Sequence, residues 1–126
     1  MKKLIFILIV GSLFIGCGVV NIPFVTQDLS LTGNIRSGMT PDEVIEIMGE
    51  PIISELRSNI EEWHYCKTGA LIKLQKDTFV ALYFFENKLI AKEYYVANEG
   101  YGSCENFIKT GTYKVPSNVQ TILDKK

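Results

Sequence analysis

Three cysteines and one histidine carry most of the chemistry this chain could perform: Cys17, Cys66, Cys104 and His64. A zinc centre normally takes four nitrogen or sulfur ligands. Four sulfurs are not available, so no metal site is expected, and no motif for a bound cofactor is present. His64 and Cys66 stand two residues apart, so on a strand they share a face, where a Cys–His nucleophile is conceivable. Strand side chains at that spacing seldom reach the required hydrogen bond, and an ordinary half-exposed histidine is the expected state of His64. Glu61 and Glu62 could be suggested as an acid–base pair. Adjacent strand residues point to opposite faces and cannot converge, which leaves them as a solvated strand start. No Cys-x-x-Cys spacing points to redox work. No catalytic residue is assigned, and the chain is not expected to be an enzyme.

The first cysteine has a different context. Residues 4–20 hold no charge, Lys2 and Lys3 precede them, and the next charge is Asp28. A basic start, an apolar run and then small residues is the plan of a secretory signal peptide. An uncleaved anchor would need about 20 apolar residues; this run has 17, three of them glycine, with Asn21 and Pro23 behind it. A buried apolar helix is the third option. The stretch Leu13-Phe14-Ile15-Gly16-Cys17 resembles a bacterial lipobox, with Phe14 where such boxes usually carry Leu. That resemblance implies cleavage between Gly16 and Cys17 and a lipid on Cys17. With Gly18 in place of an Asp next to it, the enterobacterial sorting scheme implies the outer membrane. Several acyl chains hold firmly where one holds weakly, because each buried methylene contributes about 0.8 kcal/mol.

The chain has 126 residues and a mass of 14.2 kDa, enough for a single domain. With 47% hydrophobic and 21% charged residues it is not a disordered chain. Its formal net charge is −1, and loss of residues 1–16 would leave 110 residues with 11 basic and 14 acidic side chains. Binding driven by bulk charge, to nucleic acid or to an anionic membrane surface, therefore has no support. Once Cys17 is acylated, Cys66 and Cys104 remain. In an oxidising compartment an even pair reads as a structural disulfide, with free thiols and a redox pair as alternatives. The bridge would close a loop of 38 residues and add at most about 4 kcal/mol.

These residues need elements to hold them. Residues 17–33 read as an acylated tether; residues 18–33 would reach roughly 53 to 58 Å if fully extended, and Ile22, Phe24 and Val25 give them something to dock with. The folded domain is expected over residues 34–115. Its clearest signal is Gly38-Met39-Thr40-Pro41-Asp42-Glu43. Thr40 is an N-cap, Pro41 sits where a missing N–H is harmless, and Glu43 completes a capping box. Val44, Ile47 and Met48 follow at helical spacing, then Gly49 and Pro51 stop the helix. Residues 52–57 form a short strand or an irregular turn, and Ser58-Asn59 a turn. Strands are predicted over 62–66, 78–86 and 89–96, with a wide connection at 67–77 and a hairpin turn at Asn87-Lys88. Val80, Leu82 and Phe84 alternate with Phe79, Ala81, Tyr83 and Phe85, so both faces of the middle strand are apolar. Either the tail covers the second face, or a partner uses it. Residues 103–109 suggest one or two helical turns, and order is expected to fade in a polar tail over 116–126.

The segment from Ile35 to Val44, then Met48-Gly49-Glu50-Pro51, then Trp63 and Tyr65, resembles the SmpA/OmlA/BamE family of small bacterial outer-membrane lipoproteins. The resemblance covers roughly residues 35–96. It implies an α+β fold, with short helices packed on a three-stranded antiparallel sheet; a disulfide from Cys66 to Cys104 would staple the C-terminal helical turn to it. It also implies a non-catalytic, protein-binding role like that of the accessory lipoprotein of the β-barrel assembly machinery. Expected partners are envelope proteins, barrel-assembly subunits among them, and the membrane through the lipid; neither nucleic acid nor a small-molecule substrate is expected. The alternatives are a stand-alone structural or inhibitor-like envelope lipoprotein, and a thiol-dependent envelope enzyme using Cys66, Cys104 or His64. Gly38, Thr40, Glu43, Gly49 and Pro51 are expected to shape the helix and supply no chemistry.

Overall fold

The computed structural model describes residues 27–67, 69, 77–96 and 114–125. Within them the fold is α+β, with strands β1 (Ile53–Arg57), β2 (Ile60–Lys67), β3 (Thr78–Phe85) and β4 (Lys88–Val96) in one antiparallel sheet, in the order β1-β2-β3-β4. The sheet therefore has four strands where three are expected. The additional one is β1, paired with β2 from Ile53 opposite His64 to Arg57 opposite Ile60. Four of its five residues are exposed, so no apolar alternation marks it in the sequence. Its strand character comes from pairing with β2, across a two-residue turn in which Ser58 takes a φ of 56°.

The second hairpin turns at Glu86 and Asn87, with φ values of 49° and 64°. Two successive residues with positive φ make a type I′ turn, whose twist suits antiparallel strands. The turn lies one residue earlier than expected. A register shift between Tyr83 and Phe84 marks a bulge between β3 and β4.

Helix α1 (Pro41–Met48) forms as its local chemistry dictates. The Thr40 side chain accepts from the Glu43 amide at 3.3 Å, and the Glu43 carboxylate accepts from the Thr40 amide at 2.8 Å. Gly49 ends the helix at φ 76°, its amide bonded to the Ile45 carbonyl. An eight-residue helix is marginal alone; burying Val44 and half-burying Ile45, Ile47 and Met48 holds it on the sheet. The core on this face contains Trp63, Tyr65, Val80, Leu82, Phe84 and Leu89, together with Ile35.

The opposite face is also covered. Ile60, Ala81 and Tyr83 pack on the buried Val119 of α2 (Ser117–Leu123). Order does not fade after Pro116: Val119, Ile122 and Leu123 recur at helical spacing and dock there, with Val115 before them. The expected helical turns over 103–109 lie outside the described residues.

Residues 27–33, expected to belong to a tether, are part of the folded unit. A 3-10 helix occupies Leu29–Asn34, opened by the Asp28 carboxylate, which accepts from the Ser30 amide at 3.0 Å. The Ser30 hydroxyl, and after it this same amide bond, hold the Asp28 carboxyl below the usual carboxylate range. Thr32 in this helix is buried, and Lys92 of β4 donates to the Thr32 carbonyl at 2.7 Å. Gln27 reaches further. Its amide nitrogen donates to the Glu50 carbonyl at 3.0 Å, and its oxygen accepts from the Cys66 amide at 2.8 Å.

Candidate functional site

The helix-capping residues all lie among the described residues and do more than cap. The Gly38 amide donates to the Leu89 carbonyl at 2.8 Å, and the Leu89 amide donates to the Met39 carbonyl at 2.7 Å. The loop before α1 thus completes the outer edge of β4 at Leu89. Gly38 sits at φ 89°, within a turn closed by the Met39 amide on the Arg36 carbonyl, a conformation that favours glycine. At the far end of α1 the Gly49 carbonyl accepts from the Tyr65 hydroxyl at 2.8 Å. Tyr65 is wholly buried, and burial raises its hydroxyl pKa above the usual tyrosine value, with the Glu50 charge pushing the same way. Pro51 follows Gly49 and Glu50 and precedes β1.

His64 and Glu62 are where the structure departs most from expectation. Both are buried, not half-exposed or solvated. They lie on the α2 side of β2, where Ile60, Glu62, His64 and Cys66 share a face. One Glu62 oxygen bonds His64 Nε2 at 2.6 Å, and the other accepts from Arg57 Nη2 at 2.5 Å. Glu62 is thus a buried carboxylate with two cationic or donor partners, the condition under which burial of a charge is tolerated. The pair does not become an acid–base dyad with Glu61. That residue points to the other face, where it accepts from the Trp63 indole at 2.7 Å and from the Ser54 hydroxyl.

Cys66 is buried at the end of β2 beside Phe79, Ile52, Ile53 and Tyr95. Cys17 and Cys104 lie outside the described residues, as does most of the wide connection after β2. Among the described residues, no group of three or more His, Cys, Asp or Glu side chains is arranged to hold a metal ion. Among the same residues, no helix is long and apolar enough to cross a membrane.

One shallow cavity of about 210 Å³ lies where the loop before α1 diverges from β4, lined by Ile35, Ser37, Leu89, Ile90, Ala91 and Lys92. That is below the usual volume of a small-molecule pocket. The sheet offers two outer edges. β4 is occupied at Leu89 by the Gly38–Met39 backbone, and further along Lys92 and Tyr94 engage Thr32 of the 3-10 helix. β1, at the opposite edge, pairs outward with no strand among the described residues.

No family model matches this chain, and no curated protein matches it.

Proposed function

We propose that this chain is a non-catalytic, lipid-anchored protein of the bacterial outer membrane, whose domain binds other envelope proteins in outer-membrane assembly or integrity. The observation that carries this reading is the order of residues at the start. Lys2 and Lys3 lead an uncharged run, Gly16 stands before Cys17, and the folded unit is already engaged at Gln27. Only residues 18–26 are left as a leash between lipid and domain. Nine extended residues span roughly 30 to 32 Å, so the domain would work close to the bilayer. Confinement of that kind raises its effective concentration toward a membrane-bound partner without any added contact.

The motif that resembles the SmpA/OmlA/BamE family supports the same reading. The helix it encloses packs on an aromatic antiparallel sheet, as that resemblance implies. A bridge from Cys66 to Cys104 belongs to the proposal as well. It is supported by the even pair of cysteines left once Cys17 is acylated, and by the export that the leader implies.

Two measurements test the proposal in sequence. Metabolic labelling with palmitate should mark the wild-type chain and not Cys17→Ser; an unlabelled product whose N-terminal sequence still begins at Met1 overturns the anchor. Affinity purification from detergent-solubilised envelope should then recover barrel-assembly subunits with the wild type and lose them with Cys17→Ser. A labelled chain that purifies alone overturns the partner assignment and leaves a stand-alone lipoprotein.

A further inference from the structure

Edge strand β1 differs from the other edge in carrying an apolar side chain outward between two opposite charges. Leu56 is 75% exposed, the most of any large hydrophobic residue described, and Glu55 and Arg57 flank it. The hairpin geometry says which backbone groups face out. Arg57 and Ile60 close a two-residue turn, so they form a hydrogen-bonded pair, and the outward N–H and C=O groups of β1 belong to Ser54 and Leu56. The same rule applied to the second hairpin makes Leu89 outward-facing on β4, and there the Leu89 amide and carbonyl are both bonded to Gly38 and Met39.

We propose that β1 pairs antiparallel with β1 of a second copy of this chain, with Leu56 on the two-fold axis. The charges select this register. Placing Leu56 opposite Leu56 sets Glu55 of each copy opposite Arg57 of the other, whose guanidinium bonds Glu62 within its own sheet and is still half in solvent, giving two favourable cross-strand pairs. Sliding by one residue along each strand to lengthen the ladder would set Glu55 directly opposite Glu55. Glu55 also has a reason to take such a partner. Within its own sheet it stands opposite the buried Glu62, and among the described residues it makes no ion pair. The interface is small, one short strand from each copy, which places it with transient contacts.

Sedimentation equilibrium of the full chain in a neutrally buoyant detergent, over a concentration series, reads the association. A monomer–dimer equilibrium is expected. Leu56→Lys and Glu55→Arg, both on exposed positions, should each raise its dissociation constant tenfold or more under the same detergent, with unchanged circular dichroism. An isotope-filtered spectrum of a half-labelled sample should show a contact between Leu56 methyl groups of different copies. A chain that stays monomeric throughout overturns the proposal. So does a dimer that both variants leave intact, or one whose intermolecular contacts lie elsewhere, including any dimer held by a micelle alone.

Discussion

Replacing Val119 by alanine tests whether the C-terminal helix is an integral cover of the sheet's second face. Val119 is fully buried against Ile60, Ala81 and Tyr83. The substitution removes two carbons, worth about 1.6 kcal/mol at ~0.8 kcal/mol each. A cavity of roughly 50 Å³ left unfilled would add about 1.2 kcal/mol at ~24 cal/mol per Å³. Alanine's better helix propensity offsets about 0.5 kcal/mol of this. The expected loss is therefore about 1 to 2.5 kcal/mol, read from the urea midpoint at constant slope. Thr121→Ala, on an exposed position of the same helix, should stay within about 0.5 kcal/mol. Amide exchange supplies the second readout. A seven-residue helix does not persist undocked, so α2 amides should lose protection in Val119→Ala in step with, or ahead of, the sheet. A change below about 0.3 kcal/mol with α2 still protected would refute the docking, and with it the conclusion that the chain covers its own second face.

Three further outcomes follow from individual contacts. The raised pKa of Tyr65 means the folded state holds the neutral phenol. Its contribution is complete below pH ~10, where unfolded tyrosine ionises, and is lost as the pH climbs above that value. Tyr65→Phe should flatten this alkaline loss while lowering neutral-pH stability by about 1 kcal/mol, through the unmet Gly49 carbonyl; denaturation series at pH 7 and pH 11 check both. Glu62→Gln removes the charge shared by His64 and Arg57 and should cost about 2 kcal/mol in urea unfolding, less than a fully buried pair because Arg57 is half in solvent. Thr40→Ala should cost about 1 kcal/mol in thermal or urea unfolding, and Thr40→Ser much less, because serine keeps the bond to the Glu43 amide.

How much was legible in the sequence depended on how far apart the interacting residues lie. The capping box spans four residues, and every partner it needs is inside that window, so Thr40 and Glu43 are legible from the sequence, as is Gly49, whose left-handed stop before Pro51 is equally local. The β3–β4 hairpin is also local, but Glu86 is no turn signal, so the sequence points to Asn87 and Lys88 where the turn is at Glu86 and Asn87. The sequence of β1 fits a strand or a turn equally, because its burial is slight and its existence depends on the facing strand. Burial of Glu62 and His64 could not be read at all. The strand alternation that puts them on one face is visible, but the cover over that face comes from residues such as Val119, more than fifty positions away. Helix α2 is not legible for a related reason: Pro116 offers no side-chain cap, and only the docking of Val119, Ile122 and Leu123 makes the segment helical. The 3-10 helix did leave a trace, since Asp28 with Ser30 two residues on is the pattern of an Asx turn.

The position of Gln27 constrains how an anchored domain would stand on the membrane. Its amide grips the Cys66 end of β2 and the Glu50 carbonyl after α1, so the leash leaves the domain there. β1 and β2 run between that end and the turn at Ser58 and Asn59; β3 and β4, antiparallel to their neighbours, put the turn at Glu86 and Asn87 at the same far end. The distance from Cys66 back to Ile60 along β2 is about 20 Å at ~3.3 Å per residue. If Cys17 bears the lipid, the two tight turns are the parts of the sheet most free to point away from the bilayer. Loosening the grip should remove that bias and leave the domain intact. Gln27→Ala breaks two hydrogen bonds on partly exposed groups, a modest loss of about 1 kcal/mol. It would free residue 27, while Asp28 keeps its cap on the 3-10 helix, and so lengthen the leash by roughly 3.5 Å. Site-specific spin labels at Asn59 and Asn87, with a lipid-phase relaxation agent, would report depth. In the wild type both should be shielded from the bilayer, and in Gln27→Ala both should show increased contact. Equal contact in the two forms would show that Gln27 does not orient the domain.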